Sequence, residues 1–206
     1  MAVPSLSLKS RLRLEALEAR RTYARSLSAP LRQALEAKLA EIVLPHLAGA
    51  RTVAGYHPLR NEISPHKILE ALDDGQVSAL PWFADRDARM IFRKTPAREP
   101  GPWGLIQPSS DAEAVAPDLV LVPLVLADRA GTRIGHGQGH YDRALSRLRE
   151  SRPVFAVGIA WEPQIADEPL PADPWDVPLD AIATPAEWII CHPRPSQAGE
   201  SRPASA

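Results

Sequence analysis

The sequence has little of what several classes of protein require. Its 206 residues include a single cysteine, Cys191, which excludes an intramolecular disulfide and a zinc site built from cysteines. Lysine and arginine total 24 and aspartate and glutamate total 25, so no net charge draws the chain to nucleic acid or to a membrane surface. No apolar run approaches the roughly 20 residues of a membrane span, and the N-terminus lacks a hydrophobic signal core. We therefore expect a cytoplasmic protein that binds neither nucleic acid nor membrane.

The composition is otherwise that of a globular domain. Apolar residues make up 45% of the chain and charged residues 24%, which are ordinary values. Residues 192–206 contain almost nothing large and apolar, and we expect a disordered tail there. We therefore predict a single domain over residues 1–191. Cys191 follows the apolar residues 188–190, and a buried thiol in a strand is the favoured interpretation over a nucleophile.

Residues 133–143 have the features of a binding loop. They read Arg-Ile-Gly-His-Gly-Gln-Gly-His-Tyr-Asp-Arg, between the apolar run 119–126 and the helical pattern 144–148. Glycines permit close approach of backbone amides, and amides at a helix start attract phosphate. The spacing fits neither the Walker nor the dinucleotide motif. A turn that only connects strand and helix is about equally compatible with the glycines, but Asp142, a hard oxygen ligand, favours a phosphate loop with nucleotide-bound magnesium.

The hydrophobic pattern alternates between strands and helices. Helices are predicted over 7–26, over 28–45 with Ser28 as its cap, and over 65–72. Strands are predicted at 52–56, 77–80, 89–92, 119–126, 154–160, 181–184 and 188–190, and 96–108 is expected to be a proline-glycine loop. This order predicts a layered α/β domain with a largely parallel sheet, and its ligands gather at the carboxyl ends of the strands.

The sequence allows both a structural and a functional interpretation of several other candidate residues. Lys9 and Arg13 lie one helical turn apart and form either a solvated basic face or a cationic pair near a phosphate. Asp176 is either a turn-forming aspartate or a second magnesium ligand beside Asp142. His136 and His140 lack the geometry of a metal pair, because glycine loops are not helical, and we expect them to flank an anion as donors.

Two residues suggest recognition of a heterocycle. Glu62 lies in a predicted loop after a strand and has a carboxylate that accepts hydrogen bonds from ring N–H groups. Trp103 offers a face for stacking. A surface carboxylate and a core tryptophan are the alternatives.

Taken together, these motifs resemble the 5-formyltetrahydrofolate cyclo-ligase family, whose signature reads roughly Arg-Leu-Gly-x-Gly-x-Gly-Tyr-Tyr-Asp-Arg. The resemblance extends in register over residues 8 to 190. The matching segments are 9–13, 61–63, 89–92, 101–108, 122–143, 157–160, 164 and 175–180, with Thr184 close behind. It implies a three-layer α/β/α domain with N-terminal helices and a largely parallel central sheet.

The resemblance also implies an activity. The expected reaction converts 5-formyltetrahydrofolate to 5,10-methenyltetrahydrofolate through an iminium phosphate, with ATP as co-substrate, Mg²⁺ as cofactor, and release of ADP and phosphate. The expected partners are a reduced folate and ATP, and the expected state is a monomer or weak homodimer. A catalytically silent folate- or nucleotide-binding regulatory paralogue is the alternative.

Site residues carry over from the family by position. Arg133 and Asp142 would be catalytic, Asp142 and Asp176 would bind metal, and the folate would contact Glu62, Met90, Trp103 and Tyr141. The nucleotide would contact Lys9, Arg13, Arg133, Gly135, His136, Gly137, Gln138, Gly139, His140 and Tyr141. The chain departs from the usual family residues at Gln107, Leu124, Ala127, Gln138, His140 and Trp175.

Overall fold

The computed structural model describes residues 6–192. Four α-helices lie within them: α1 (Leu8–Ser26), α2 (Ala29–Val43), α3 (His66–Glu70) and α4 (His140–Ser151). The predicted cap at Ser28 is confirmed, because Ser28 Oγ accepts from the Leu31 amide at 3.3 Å; Ser7, predicted as the first residue of a helix, is the cap of α1, and its Oγ accepts from the Ser10 amide at 3.2 Å. Such caps satisfy amides that a helix start leaves without partners.

Thirteen strands lie in the same range, along with 3₁₀ turns at Leu44–His46, Pro102–Gly104 and Glu162–Gln164. In chain order the strands are β1 (Thr52–Ala54), β2 (Val77–Trp82), β3 (Ile91–Lys94), β4 (Ala97–Pro100), β5 (Ile106–Pro108), β6 (Ala114–Val115), β7 (Leu119–Pro123), β8 (Leu126–Asp128), β9 (Arg133–Ile134), β10 (Phe155–Ile159), β11 (Ile165–Ala166), β12 (Ala181–Ala183) and β13 (Trp188–Ile190).

Eight of these strands form the central sheet, in the order β13-β12-β10-β7-β1-β2-β3-β6. The five inner strands from β12 to β2 run parallel, and β13, β3 and β6 add antiparallel edges. Two smaller sheets, β11-β8-β9 and the β4-β5 hairpin, lie beside it. The predicted α/β class with a largely parallel sheet is confirmed.

Strand β7 shows how the layers are built. Its residues alternate between the two faces of the sheet: Leu119 and Leu121 pack in a core with residues of α2, whereas Val120 and Val122 pack in a second core with Leu145 of α4. Helices α1, α2 and α3 therefore cover one face and α4 covers the other. The resulting three layers are those expected from the resemblance.

Two segments differ from the sequence-based expectation. The expected loop at 96–108 contains the β4-β5 hairpin, and the apolar run 119–126 is split between β7 and β8. A tight turn follows β8, because Asp128 Oδ1 accepts from the amides of Ala130 and Thr132 at 3.0 Å each. Gly131 takes the positive φ of +91° that this turn requires. The strand directly before the glycine loop is therefore β9, which pairs antiparallel with β8.

Three other predictions concern Cys191, the C-terminal segment and membrane-spanning helices. Cys191 is buried as expected, but it follows β13 rather than lying in a strand. Burial raises its pKa to about 12, so the thiol is unreactive at neutral pH. The expected disordered tail lies outside the described residues apart from His192, and the domain boundary at 191 stays a prediction. Among residues 6–192, no helix combines the length and hydropathy needed to cross a membrane.

Gly158, at the centre of the sheet, provides a stability test. A Cβ there would lie 2.6 Å from Leu179 Cδ1 and 2.8 Å from Leu124 Cδ2. We expect Gly158→Ala to lower the free energy of unfolding by about 1–3 kcal/mol through overpacking. The matched control is Gly49→Ala, because a Cβ at exposed Gly49 meets no atom within 4 Å. Urea unfolding of both variants measures the difference, and equal stability of the two would contradict this packing.

Candidate active site

A cavity of about 540 Å³ opens at the carboxyl ends of the parallel strands, where ligands gather in open α/β sheets. Helix α1, the loops after β1 and β2, the β4-β5 hairpin, the glycine loop and the loop after β11 contribute to its walls. Every site residue predicted from the sequence lines it: Lys9, Arg13, Glu62, Met90, Trp103, Arg133, Gly135, His136, Gly137, Gln138, Gly139, His140, Tyr141, Asp142 and Asp176.

The glycine loop leads directly into the N-terminus of α4. Gly137 and Gly139 have φ values of +92° and +64°, and Gly139 is the residue before the helix. Arg13 reaches across from α1, and its Nε donates to the Gly135 carbonyl at 2.7 Å. Its guanidinium carbon lies 3.6 Å from where a Gly137 Cβ would be. A guanidinium and a helix N-terminus thus line one side of the cavity, and both attract anions.

Asp142 is held from two directions. Its Oδ1 accepts from Arg133 Nη2 at 2.7 Å and from the Val177 amide at 3.1 Å. Arg133 is buried and also donates through Nη1 to the Val177 carbonyl at 2.5 Å. These bonds hold the start of α4 against the loop after β11, in which Asp176 precedes Val177.

Lys9 is paired with acidic residues of the loop after β11. Its Nζ donates to Asp173 Oδ2 at 2.8 Å and to Asp176 Oδ2, which also accepts from the Asp173 amide at 2.8 Å. Burial lowers the pKa of Lys9, but the hydrogen bonds and charges of Asp173 and Asp176 outweigh it, so the pKa lies above its ordinary value. The ammonium group is therefore charged at neutral pH.

Glu62 is the buried carboxylate of the cavity, with a side chain that is 5% exposed. Its Oε2 accepts from the Leu59 amide at 2.8 Å, and its Oε1 lies 3.3 Å from Arg20 Nη1 and 3.2 Å from His136 Nε2. Arg20 Nη1 also donates to the Leu124 carbonyl at 3.2 Å. The buried carboxylate is thus neutralised by a buried guanidinium, as such a group requires.

Two less polar residues, Met90 and Tyr141, also line the cavity. Met90 is buried, and its carbonyl accepts from Arg147 Nη2 at 2.8 Å. Burial raises the pKa of Tyr141 far above its ordinary value, and the charge of Glu62 raises it further, so the phenol stays protonated.

Three rings form one rim of the cavity. The Trp103 ring centroid lies 5.1 Å from that of Phe83 and 5.5 Å from that of His140, and Phe83 and His140 are 5.0 Å apart. Trp103 is 45% exposed and has a φ of +60°, uncommon for a bulky residue. Burial and the charge of Arg143 lower the pKa of His140, so its imidazole is neutral at pH 7.

Sequence reasoning missed several residues that shape this cavity. Arg20 continues the face of α1 that carries Lys9 and Arg13, at spacings of four and seven residues, so a helical signal was present. Asp173 precedes Asp176 by three residues in a loop already singled out. Phe83 had no signal, because its position depends on the path of the chain after β2.

No resident metal site is preformed in this part of the chain. Within residues 6–192, no three His, Cys, Asp or Glu side chains come together in a group that could hold a metal ion. A divalent cation at this site would therefore need ligands from a bound molecule.

The chain matches known proteins along most of its length. The model of the 5-formyltetrahydrofolate cyclo-ligase family matches residues 6–185. A 5-formyltetrahydrofolate cyclo-ligase of Mycolicibacterium smegmatis is 29% identical over 198 residues, which cover 88% of this chain and 96% of that protein. A cyclo-ligase of Mycoplasma pneumoniae is 31% identical over 175 residues, covering 84% and 96%.

Solved structures agree with the sequence matches. The NMR structure of the Aquifex aeolicus 5,10-methenyltetrahydrofolate synthetase superposes with a TM-score of 0.75 at 28% identity, covering 96% of this chain and all of the other. A 5,10-methenyltetrahydrofolate synthetase from Mycoplasma pneumoniae gives a TM-score of 0.67 at 28% identity, covering 87% and 99%.

The buried pair of Arg20 and Glu62 provides a second stability test. We expect Arg20→Met to destabilise the fold by about 3–5 kcal/mol, because the variant leaves the Glu62 carboxylate buried without its cation. Arg21→Met is the matched control, since Arg21 is 47% exposed and pairs only with neighbouring Glu18 among the ion pairs of residues 6–192. Urea denaturation of the two variants checks this, and a loss below 1 kcal/mol for Arg20→Met would contradict it.

Proposed function

The chain belongs to the 5-formyltetrahydrofolate cyclo-ligase family, and we propose that the cavity described above carries out that family's reaction with the residue roles given below. The protein is an ATP-dependent ligase that converts 5-formyltetrahydrofolate to 5,10-methenyltetrahydrofolate. The observation that carries the assignment of roles is a single cavity that brings unlike groups together. Cationic side chains and a helix N-terminus line it together with a buried carboxylate, Met90 and an aromatic rim.

The chemistry requires activation of a poor leaving group. The formyl oxygen attacks the γ-phosphorus of ATP, and ADP leaves as an iminium phosphate forms. The other folate nitrogen then attacks the formyl carbon, loses its proton, and phosphate departs with the formyl oxygen. The protein therefore has to hold two substrates in line and neutralise phosphate charge.

The cationic side chains and the helix N-terminus would bind the nucleotide. Arg13 reaches the glycine loop from α1, Lys9 reaches the acidic residues of the loop after β11, and the amides at the start of α4 would face an anion between them. Arg133 would complete the set while its Nη2 keeps Asp142 in place. Fixed donors of this kind cost no reorganisation when charge develops on the transferred phosphate.

Magnesium fits the carboxylates as a cation carried by ATP. Among the contacts of residues 6–192, the bonds that Asp142 accepts end on Oδ1 and those that Asp176 accepts end on Oδ2. Each side chain therefore keeps one oxygen for a ligand. Two carboxylates are sufficient when phosphates and water supply the remaining oxygens. Such a cation would neutralise charge on the β- and γ-phosphates.

The buried carboxylate and the less polar residues would bind the folate. Glu62 would accept hydrogen bonds from N–H groups of the pterin, whose ring would lie against Met90 and Trp103, with Tyr141 beside it. A protonated phenol at Tyr141 provides a donor without adding negative charge. The expected cytoplasmic location and the monomeric or weakly dimeric state stay predictions.

The assay that tests the proposed reaction follows the absorbance of 5,10-methenyltetrahydrofolate. Protein is mixed with 5-formyltetrahydrofolate and Mg²⁺, with ATP in one sample and without it in the other. We expect product only with ATP, and in equal amount to the ADP formed. ATP-independent binding of folate without product, from folded protein, would support the catalytically silent regulatory paralogue instead.

The metal role of Asp142 is tested by Asp142→Asn. The amide oxygen can still accept from Arg133 and Val177, so we expect near-normal folding, but loss of the negative charge should lower turnover by about 100-fold or more. Glu150→Gln is the matched control, because Glu150 is exposed at the far end of the same helix. Full activity of Asp142→Asn at limiting Mg²⁺ would show that this carboxylate binds no metal.

A further inference from the structure

Glu62 Oε1 is shared between a buried partner and an exposed one. Arg20 approaches it from the protein interior, where both side chains are 5% exposed. His136 approaches it from the glycine loop, with Nε2 at 3.2 Å and a side chain that is 40% exposed. The other oxygen, Oε2, accepts from the backbone amide of Leu59. The position that His136 occupies is therefore the one through which a ligand in the cavity would reach this carboxylate.

His136 also belongs to the glycine loop that is proposed to bind the nucleotide. It lies between Gly135 and Gly137, one residue from the backbone that Arg13 contacts. Its imidazole can therefore donate to Glu62 or turn toward a bound phosphate, but one nitrogen cannot do both at once. The contact between His136 and Glu62 thus joins the glycine loop to the carboxylate proposed to bind the folate.

We propose that His136 is a positioning residue that couples folate binding to nucleotide binding by exchanging Glu62 for phosphate. This inference rests on the proposed function, because it requires that a folate uses Glu62 and a nucleotide uses the glycine loop. When the folate N–H groups take Glu62 Oε1, the imidazole is released to the loop. When phosphate draws the imidazole away, Glu62 Oε1 becomes free for the folate.

The exchange predicts that the two substrates favour each other's binding. Each substrate removes a contact that the other must otherwise break, so each should tighten the binding of the other. Thermodynamic linkage requires the two effects to be equal in size. Removing the imidazole removes the shared contact, and folate alone should then bind no more weakly than to the unaltered protein.

Titration calorimetry with 5-formyltetrahydrofolate and Mg²⁺ plus β,γ-methylene-ATP tests the coupling without turnover. For the unaltered protein we expect the nucleotide analogue to lower the folate Kd by about fivefold or more, with the same factor for the reverse order. For His136→Ala we expect the nucleotide analogue to lower the folate Kd by less than about twofold. Folate alone should bind to this variant at least as tightly as to the unaltered protein. A merely structural role for His136 would weaken folate binding and leave the factor unchanged.

The matched control is His57→Ala. His57 lines the same cavity, but its ring contact is with His66 at 5.8 Å rather than with Glu62. This variant should keep the unaltered coupling factor. If the unaltered protein binds both ligands but neither changes the Kd of the other, the coupling is overturned and the proposed function stands. Failure of the unaltered protein to bind 5-formyltetrahydrofolate under either condition would overturn both.

Discussion

Charge neutralisation inside the cavity is the constraint on which the site depends. Asp142 is paired with Arg133 and Lys9 with Asp176, while Glu62 meets Arg20 and His136. Charges removed from water need such partners, and an unpaired one would be costly. The cationic and anionic groups of the site therefore hold one another in position around a cavity that still has room for ligands.

The fold explains why these pairs form between distant parts of the chain. Five parallel strands end at one edge of the sheet, and their loops meet there. Helix α1 lies near this edge, so that Lys9 reaches Asp173, Arg13 reaches the Gly135 carbonyl and Arg20 reaches Glu62 from the interior. The loop after β11 is fixed by the bonds between Arg133, Asp142 and Val177. A substrate that spans the cavity would thus contact groups already oriented by their pairing.

The sequence predicted the parts of this site that depend on local patterns. The glycine loop and the parallel sheet follow from spacing and periodicity, whereas spacing left the role of Lys9 and Arg13 open and only the family resemblance placed them at a phosphate. The structure places the predicted residues in one cavity. The contact of Arg20 with Glu62 spans 42 residues, and no local pattern encodes such a distance. The turn after β8 was hidden because the apolar run 119–126 continues across the break between β7 and β8.

The most direct test of the central claim follows the formyl oxygen. 5-Formyltetrahydrofolate labelled with ¹⁸O in the formyl group is incubated with the protein, ATP and Mg²⁺, and the phosphate released is examined by mass spectrometry. If the formyl oxygen is phosphorylated in the cavity, each phosphate formed together with 5,10-methenyltetrahydrofolate carries one ¹⁸O atom. Unlabelled phosphate accompanying the same product would contradict phosphoryl transfer to the formyl group and the residue roles built on it.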